Sequence, residues 1–467
     1  MSRFTSWIPK GLIGLFLVLN LWWLQSDNLV RDGDEEGHVG AAELFLHDLN
    51  GGQFGTAVHR AFVADMGDYP SLYPATVGTW WWLAGGGQPD RLPVRGINLG
   101  FLVLTALAVY GMRGRMRASH AQIGAACVLF LPLPLGLSRH FMPETALAAC
   151  VALAIAAAVR QRARPSTSNA LVLGALLGAG MLTKQTFPLY VFAPLVFLFR
   201  PHRSLFWIVP GLLIALPWSW TNLIEQHDYL ASSAGYQGDA QTIGHMLFYP
   251  AAIFHLGLGP IWSALLAAAI GIAWRGPHRK ELSLGLVWLI GGVILLSLVP
   301  KKYARLLLPL LPAVGIILAA AIATRPRFGP YVLLGVMWTA SASIIPEIKS
   351  GPSRFLEEFE PGQIQVWFRT PESRTLGFDA IRPLAAEHPG LQLLIEGGPE
   401  LTSMQTTHAW PHHLGPWLRR EGLDREVFTT PEDLQPGPYL HVNFEAANPN
   451  ATVPLVDVPF SIQLKFP

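Results

Sequence analysis

Residues 168–200 read SNALVLGALLGAGMLTKQTFPLYVFAPLVFLFR, an apolar run in which Lys184 is the one charged residue before Arg200. A helix needs roughly 20 apolar residues to cross a bilayer, so the run is long for one crossing. Basic residues flank it on both sides, and short basic loops stay on the cytoplasmic face. A single kinked crossing would put the two basic flanks on opposite faces. The run therefore predicts two helices that turn near TKQTFP, residues 183–188.

The composition of the whole chain places this hairpin in a polytopic membrane protein. Of 467 residues, 51% are hydrophobic and 14% are charged, and the mean hydropathy is +0.35. A water-soluble core of this size does not require so much apolar sequence. No small-residue cleavage site follows the first apolar window, so we interpret that window as a retained helix. The sequence predicts eleven membrane spans, at 8–26, 92–112, 121–138, 142–160, 168–184, 185–200, 204–222, 246–273, 281–299, 306–323 and 328–345.

The basic residues predict which side of the membrane each loop occupies, because they fall in every second break between spans. This alternation places the N-terminus in the cytoplasm, and it places both the loop at about 27–91 and the residues after 345 outside. The basic residues in the predicted cytoplasmic breaks are Arg3, Lys10, Arg113, Arg115, Arg117, Arg160, Arg162, Arg164, Arg200, Arg203, Arg275, Arg279, Lys280, Arg325 and Arg327.

Beyond residue 345 the composition changes, and acidic residues, histidine and proline return. Residues 391–398 and 437–445 have the pattern of strands, and residues 378–388 and 414–423 have the pattern of amphipathic helices. We therefore expect two domains. Residues 1–345 form the transmembrane domain, and residues 346–467 form a small extracytoplasmic α/β domain.

An acidic stretch follows the first predicted span. Residues 30–40, VRDGDEEGHVG, hold four carboxylates within five positions. Asp34, Glu35 and His38 have spacings of four and three residues, so a helix would bring them onto one face as a base or as metal ligands. A solvated acidic cap is the alternative interpretation. A predicted helix ending at Asn50-Gly51-Gly52 and an aromatic segment at 69–87 follow, which together indicate a structured lid on the membrane surface.

Six segments between residues 8 and 325 resemble, in order, motifs of the GT-C class of integral-membrane glycosyltransferases. The resemblance is to bacterial relatives of the protein O-mannosyltransferases and of the lipid A aminoarabinose transferase. Ser71 stands where that family has a proline, and Glu144 stands where it commonly has aspartate. The segments are Asp34-Glu35, YPSLYP at 69–74, RLPVRGINLGFLVLTALAVYGMRGR at 91–115, SRHFMPETALAA at 138–149, GAGMLTKQTFPLYVFAPLVFL at 178–198 and KKYARLLLPLLPA at 301–313.

The resemblance implies transfer of a sugar from a polyprenyl-phosphate donor to an acceptor on the extracytoplasmic side. Attack by an acceptor hydroxyl needs a carboxylate base, and departure of a lipid phosphate needs cations. Asp34 and Glu35 are the predicted catalytic pair. The predicted donor-phosphate ligands are Lys184, Lys301, Lys302, Tyr303, Arg305 and Arg139. Predicted acceptor-binding or site-shaping residues are His38, Tyr69, Tyr73, His140 and Glu144.

The predicted partners are the lipid-linked donor, membrane lipids and a lipid, glycan or protein acceptor, with no nucleic acid. The reaction requires no nucleotide cofactor, and a divalent metal stays an open alternative with Asp34, Glu35 and His38 as its ligands. The predicted location is the bacterial inner membrane. A transporter or flippase for a lipid-linked or anionic substrate is one competing function, and an assembly factor that docks through its C-terminal domain is another. A transporter predicts charged groups near the middle of the membrane and inverted repeats, and the sequence has neither pattern.

Overall fold

The computed structural model describes residues 4–26, 33–63, 70–85, 91–114, 116–222, 243–299 and 302–342, together with four strands nearer the C-terminus. For residues 4–8, 33–37, 91–95 and 243–245, and for the strands, it describes the backbone alone. The chain forms two compact units. The helical unit comprises residues 1–25, 42–86 and 91–370, and the second unit comprises residues 26–41, 87–90 and 371–467.

Helices make up most of the described residues. The first ten are α1 (Phe4–Ser26), α2 (Gly33–Asn50), α3 (Phe54–Phe62), α4 (Leu72–Leu83), α5 (Arg91–Gly111), α6 (Ala118–Cys127), α7 (Pro132–Leu137), α8 (Glu144–Ala163), α9 (Thr167–Thr183) and α10 (Phe187–Leu198). The others are α11 (Ile208–Leu212), α12 (Leu216–Thr221), α13 (Ile243–Ala252), α14 (Gly259–Trp274), α15 (Arg279–Ser297), α16 (Pro312–Thr324) and α17 (Gly329–Ala342). A π-helical segment, Ile253–Leu258, joins α13 to α14, and a 3-10 segment, Ala304–Leu310, precedes α16.

Four helical stretches among the described residues are long and apolar enough to cross a membrane. A fifth crossing is formed if the 3-10 segment and α16, which bend by 45° at their junction, count as one span. The other predicted spans between residues 92 and 200 coincide with shorter apolar helices, so the count of eleven stays a prediction. The chain is a mostly helical membrane protein. The four long stretches are Glu144–Ala163, Arg203–Thr221, Met246–Trp274 and Arg279–Ser297.

The apolar run at 168–200 is divided where the sequence predicts a turn. Helix α9 begins after Ser166, whose hydroxyl accepts a hydrogen bond from the Asn169 amide at 3.1 Å and caps the helix. It ends at Thr183, and Lys184 has an extended backbone with φ −162° and ψ 135°. Helix α10 begins at Phe187 with Pro188 in its first turn, where the missing amide hydrogen of proline costs no hydrogen bond. Lys184 thus lies in a short break between two helices.

Three helices lie within the described part of the first predicted external loop. Helix α2 covers the acidic stretch from Gly33 and ends at Asn50, as the sequence predicts, and Gly52 adopts a left-handed φ of +69° in the turn that follows. An ion pair of 2.7 Å between Arg60 Nε and Asp48 Oδ2 joins α3 to the end of α2. Helix α4 starts inside the YPSLYP motif and presents exposed indole rings at Trp80 and Trp82. Exposed indoles of this kind suit the headgroup region of a membrane.

The second unit contains a four-stranded mixed sheet, with strand order β2-β1-β3-β4. Its strands are β1 (Gln392–Glu396), β2 (Val427–Phe428), β3 (Tyr439–Asn443) and β4 (Ser461–Lys465). Strand β1 pairs in parallel with β2 and β3, and β3 pairs antiparallel with β4. Strands β1 and β3 lie within the two segments predicted as strands. The predicted helices at 378–388 and 414–423 lie outside the described residues, so the α/β class and the boundary at 345 stay predictions.

Small residues allow the helices of the helical unit to pack closely. A Cβ atom on Gly124 of α6 would lie 2.5 Å from the carbonyl oxygen of Gly315 and 2.6 Å from the Cβ of Ala319, both in α16. A side chain at residue 124 would therefore require the backbone of α6 or α16 to move. In a lipid environment the hydrophobic effect does not drive helices together, so close van der Waals contact of this kind supplies much of the association energy.

We predict that Gly124→Ala lowers the free energy of unfolding by about 1–3 kcal/mol, because the added methyl group separates α6 from α16. Gly271→Ala in α14 is the matched control, since nothing lies within 4 Å of its added Cβ. Unfolding of purified protein in mixed micelles measures both variants. Equal stability of the two variants would contradict the close contact.

Candidate functional site

Glu144 is the centre of a buried ion cluster. It is the first residue of α8, and its side chain is fully buried, with 0% exposure. A carboxylate at this position interacts favourably with the positive end of the helix dipole. Two cations also reach the same oxygen. Lys184 Nζ lies 2.7 Å from Oε1, and Arg305 Nε lies 3.4 Å from it.

The cations come from the two places where the surrounding helices are interrupted. Lys184 lies in the break between α9 and α10, and only 6% of it is exposed. Arg305 lies in the 3-10 segment that follows α15. Two cations face one carboxylate, so the triad itself has a net positive charge.

Lys302 and two tyrosines form a second layer beside this triad. The Lys302 ammonium donates hydrogen bonds to the backbone carbonyls of Ser297 (2.9 Å), Leu296 (3.4 Å) and Val299. It also lies 5.2 Å from the centre of the Tyr249 ring. Burial lowers the pKa of Lys302 to about 8.

Tyr303 connects this layer to the triad. Its backbone amide donates a hydrogen bond of 3.3 Å to the Tyr249 hydroxyl. The Arg305 guanidinium lies over the Tyr303 ring, 4.8 Å from its centre. Flat stacking on an aromatic ring restricts a guanidinium while leaving its edge able to form hydrogen bonds. The Arg305 side chain thus contacts Tyr303 of its own segment and Glu144 of α8.

Arg139 and His140, in the turn before α8, belong to a second polar cluster. Arg139 Nε donates a hydrogen bond of 2.9 Å to Asn20 Oδ1 of α1, and its guanidinium lies 5.0 Å from the centre of the Trp23 ring. The Trp23 and His140 rings are 6.5 Å apart. The turn is therefore attached to α1 through buried polar contacts.

Asn98 links the YPSLYP motif to the same turn. The Tyr73 hydroxyl donates a hydrogen bond of 3.2 Å to Asn98 Oδ1, and Asn98 Nδ2 donates one to the His140 carbonyl. Tyr73 is buried and its ring lies 5.2 Å from that of Phe141. The sequence prediction includes Tyr73 and His140, but it omits Asn98 and also Asn20, Trp23 and Tyr249. Asparagine inside a predicted span is the signal that could have identified Asn20 and Asn98.

Several predicted site residues are not placed relative to these clusters. Tyr69 and Lys301 lie outside the described residues, and Asp34 and Glu35 are described by their helical backbone alone. His38 follows on the same helix and is buried. Among the described side chains, no group of three or more histidines, cysteines or carboxylates is arranged to hold a metal ion. The metal alternative and the catalytic pair therefore stay predictions.

An apolar groove opens on the helical unit between α1, α4 and α5. Its volume is about 830 Å³, and its lining includes Leu17, Leu21, Trp80 and Phe101. Thr76 and Trp80 also line a neighbouring groove of about 410 Å³ between α2, α3 and α4. Surfaces of this composition accommodate hydrocarbon chains and exclude charged groups.

We predict that Glu144→Gln destabilises the protein by about 3–5 kcal/mol, because it leaves the two buried cations without their shared carboxylate. Asp48→Asn is the matched control. It breaks the pair with Arg60, whose side chain is 26% exposed and can be solvated, and we expect a loss of about 1 kcal/mol or less. Unfolding in mixed micelles compares the two. A smaller loss for Glu144→Gln than for Asp48→Asn would contradict the buried triad.

Known proteins resemble this chain in sequence and in structure. The dolichyl-phosphate-mannose-protein mannosyltransferase family matches residues 87–224. ArnT from Cupriavidus metallidurans bound to undecaprenyl phosphate superimposes with a TM-score of 0.66 and 15% identity, covering 98% of each chain. The apo form gives the same TM-score and identity. Archaeal oligosaccharyltransferase AglB from Archaeoglobus fulgidus, in complex with an inhibitory peptide and a dolichol-phosphate, gives a TM-score of 0.53 and 10% identity, covering 93% of this chain and 66% of that one.

A sequence comparison with curated proteins gave no match. The structural similarity to ArnT nevertheless extends over nearly the whole of both chains. The GT-C resemblance seen in the sequence is thereby confirmed for the fold. This chain has the fold of the GT-C glycosyltransferases.

Proposed function

We propose that this protein transfers a sugar from a polyprenyl-phosphate donor to an acceptor on the extracytoplasmic side of the bacterial inner membrane. The observation that carries the proposal is the buried triad, in which Lys184 and Arg305 share one carboxylate. ArnT and AglB, which have the same class of fold, are bound to undecaprenyl phosphate and dolichol-phosphate. A lipid-linked phosphate suits this protein, because the helical unit contains both cationic side chains and an apolar groove.

The triad supplies what the leaving group needs. When the bond between the sugar and the phosphate breaks, negative charge grows on the phosphate oxygens. Lys184 offers a point charge, and Arg305 offers a planar fork that matches two phosphate oxygens. Both are held in place before the substrate arrives, so they need not reorganise during the reaction. Glu144 fixes the cations and keeps them buried together when the phosphate is absent.

The nucleophile needs a base, and we assign this role to Asp34 with Glu35 as its partner. Both lie in the first turn of α2, within the loop that the sequence places outside the membrane. Asp34 accepts the proton of the acceptor hydroxyl as that oxygen attacks the anomeric carbon. The displacement is single and inverts the configuration of the sugar, as in the resembled family. The transferred group is a hexose or a pentose, and the acceptor is a lipid, a glycan or a protein.

The other predicted residues complete the site. Lys301, Tyr303 and Arg139 are assigned to the donor side, and His38, Tyr69, Tyr73 and His140 to the acceptor side or to the shape of the site. Of these, Tyr73 and His140 are joined through Asn98.

We predict that Asp34→Asn reduces sugar transfer by about 10²–10⁴-fold, because the amide cannot accept the proton of the acceptor. The measurement follows labelled sugar from membrane polyprenyl-phosphate donors into endogenous acceptors at equal protein levels. Glu43→Gln, which removes another carboxylate of α2, is the control and should keep activity. Equal transfer by wild type and Asp34→Asn would exclude Asp34 as the base. Movement of the intact donor across the membrane without transfer would favour a flippase.

We also predict that Lys184→Met and Arg305→Met each weaken binding of undecaprenyl phosphate by about tenfold or more, because each removes a charge-assisted contact with phosphate. Arg200→Gln, an exposed arginine at the end of α10, controls for the loss of one positive charge. Titration of purified protein in micelles measures the dissociation constants, and thermal unfolding verifies that the variants are folded. Unchanged affinity in both methionine variants would contradict the assignment of the triad to the donor phosphate.

A further inference from the structure

Lys302 has a different environment from the cations of the triad, although it lies beside them. It is among the most buried charged residues described, with 1% exposure. An ammonium group has three N–H donors. Three backbone carbonyls, those of Leu296, Ser297 and Val299, accept from it. The donor capacity of Lys302 is therefore used within the protein.

Leu296 and Ser297 are the last two residues of α15, and Val299 lies two residues beyond its end. The last carbonyls of a helix have no amide partner inside the helix, and in an apolar environment each unsatisfied carbonyl is costly. The Leu296 carbonyl also accepts the Val299 amide at 3.0 Å, so Lys302 is a second donor there. Lys302 donates to the carbonyls of Ser297 and Val299 as well, and its charge complements the negative end of the helix dipole. Lys302 is thus attached to the C-terminal end of α15.

Two tyrosines connect Lys302 to Arg305. The ammonium packs on the face of Tyr249, and the hydroxyl of the same tyrosine accepts the amide hydrogen of Tyr303. The Tyr303 ring in turn supports the Arg305 guanidinium, which reaches Glu144. Every step of this series is a contact between neighbouring groups in the helical unit. A change at Lys302 therefore acts on Arg305 through Tyr249 and Tyr303.

We propose that Lys302 is a positioning residue, which holds the segment after α15 so that Arg305 presents its guanidinium to the donor phosphate, and that Lys302 does not contact the phosphate itself. The inference rests on the proposed function, and it assigns different roles to the residues of the basic segment KKYAR at 301–305. Arg305 and Lys184 bind the anion, and Lys302 keeps Arg305 where it can do so.

A double-mutant cycle tests this inference with undecaprenyl phosphate as the probe. Lys302→Met removes the charge and the donors but keeps the length of the side chain. We expect it to weaken binding by about 3–30-fold in wild type, because Arg305 is no longer held. In the Arg305→Met background, the same change should weaken binding by less than about twofold, since the group through which Lys302 acts has gone. Lys280→Met, an exposed lysine at the other end of α15, is the matched control.

The cycle separates the possible roles of Lys302. If Lys302 contacts the phosphate directly, the losses in the double variant multiply, and the inference is overturned. If Lys302→Met lowers the unfolding temperature while affinity stays at the wild-type value, the residue serves stability alone, and the inference is again overturned. Non-additive losses with a folded double variant support it.

Failure of the proposed function gives a different result. In that case wild-type protein does not bind undecaprenyl phosphate. The same four proteins then test positioning through their unfolding midpoints. Non-additive shifts for Lys302→Met and Arg305→Met support the structural link between the two residues, and additive shifts refute it.

Discussion

A buried carboxylate shared by two cations constrains how the helices of the helical unit pack. Separating charges from water is costly, and the cost is offset only when each charge has close partners of opposite sign. Glu144, Lys184 and Arg305 meet this condition together and not singly. The start of α8, the break between α9 and α10, and the 3-10 segment after α15 must therefore converge. The helices that carry these points are fixed in position by the same requirement.

The second constraint is that backbone groups in an apolar environment need hydrogen-bond partners. Interruptions of helices are tolerated where side chains or buried polar surroundings satisfy the exposed groups. Lys302 does so at the end of α15. Another irregularity lies between α13 and α14, where Gly259 follows the π-helical segment with a φ of +67°, a conformation that favours glycine. The chemistry proposed here occurs at such interruptions, because a regular helix uses its backbone amides and carbonyls in its own hydrogen bonds.

The proposed division of roles follows from these constraints. Residues at the triad are charged, buried and held before the substrate binds, which is the condition for stabilising charge in a transition state. Lys302 beside the triad, and Asn98 and Asn20 in the second polar cluster, form hydrogen bonds within the protein. Their effect on a reaction is through the groups that they hold. A buried polar residue in a membrane protein therefore need not bind the substrate. Its hydrogen-bond partners indicate whether it contacts the substrate or holds another residue.

The sequence by itself determined the class of protein, the break near Lys184 and the end of α2 at Asn50. These features depend on local properties, namely apolar length, helix capping and the backbone freedom of glycine, which neighbouring residues reveal. It also identified Lys184, Arg305 and Glu144 as candidates, because they lie in segments that resemble GT-C motifs. The sequence did not show which of these side chains contact one another. Glu144 and Lys184 are 40 positions apart, and Arg305 is further still. Only the packing of the helices brought them to one oxygen atom and turned Lys302 back onto the carbonyls of α15, because contacts between distant parts of a chain are decided by how whole helices fit together.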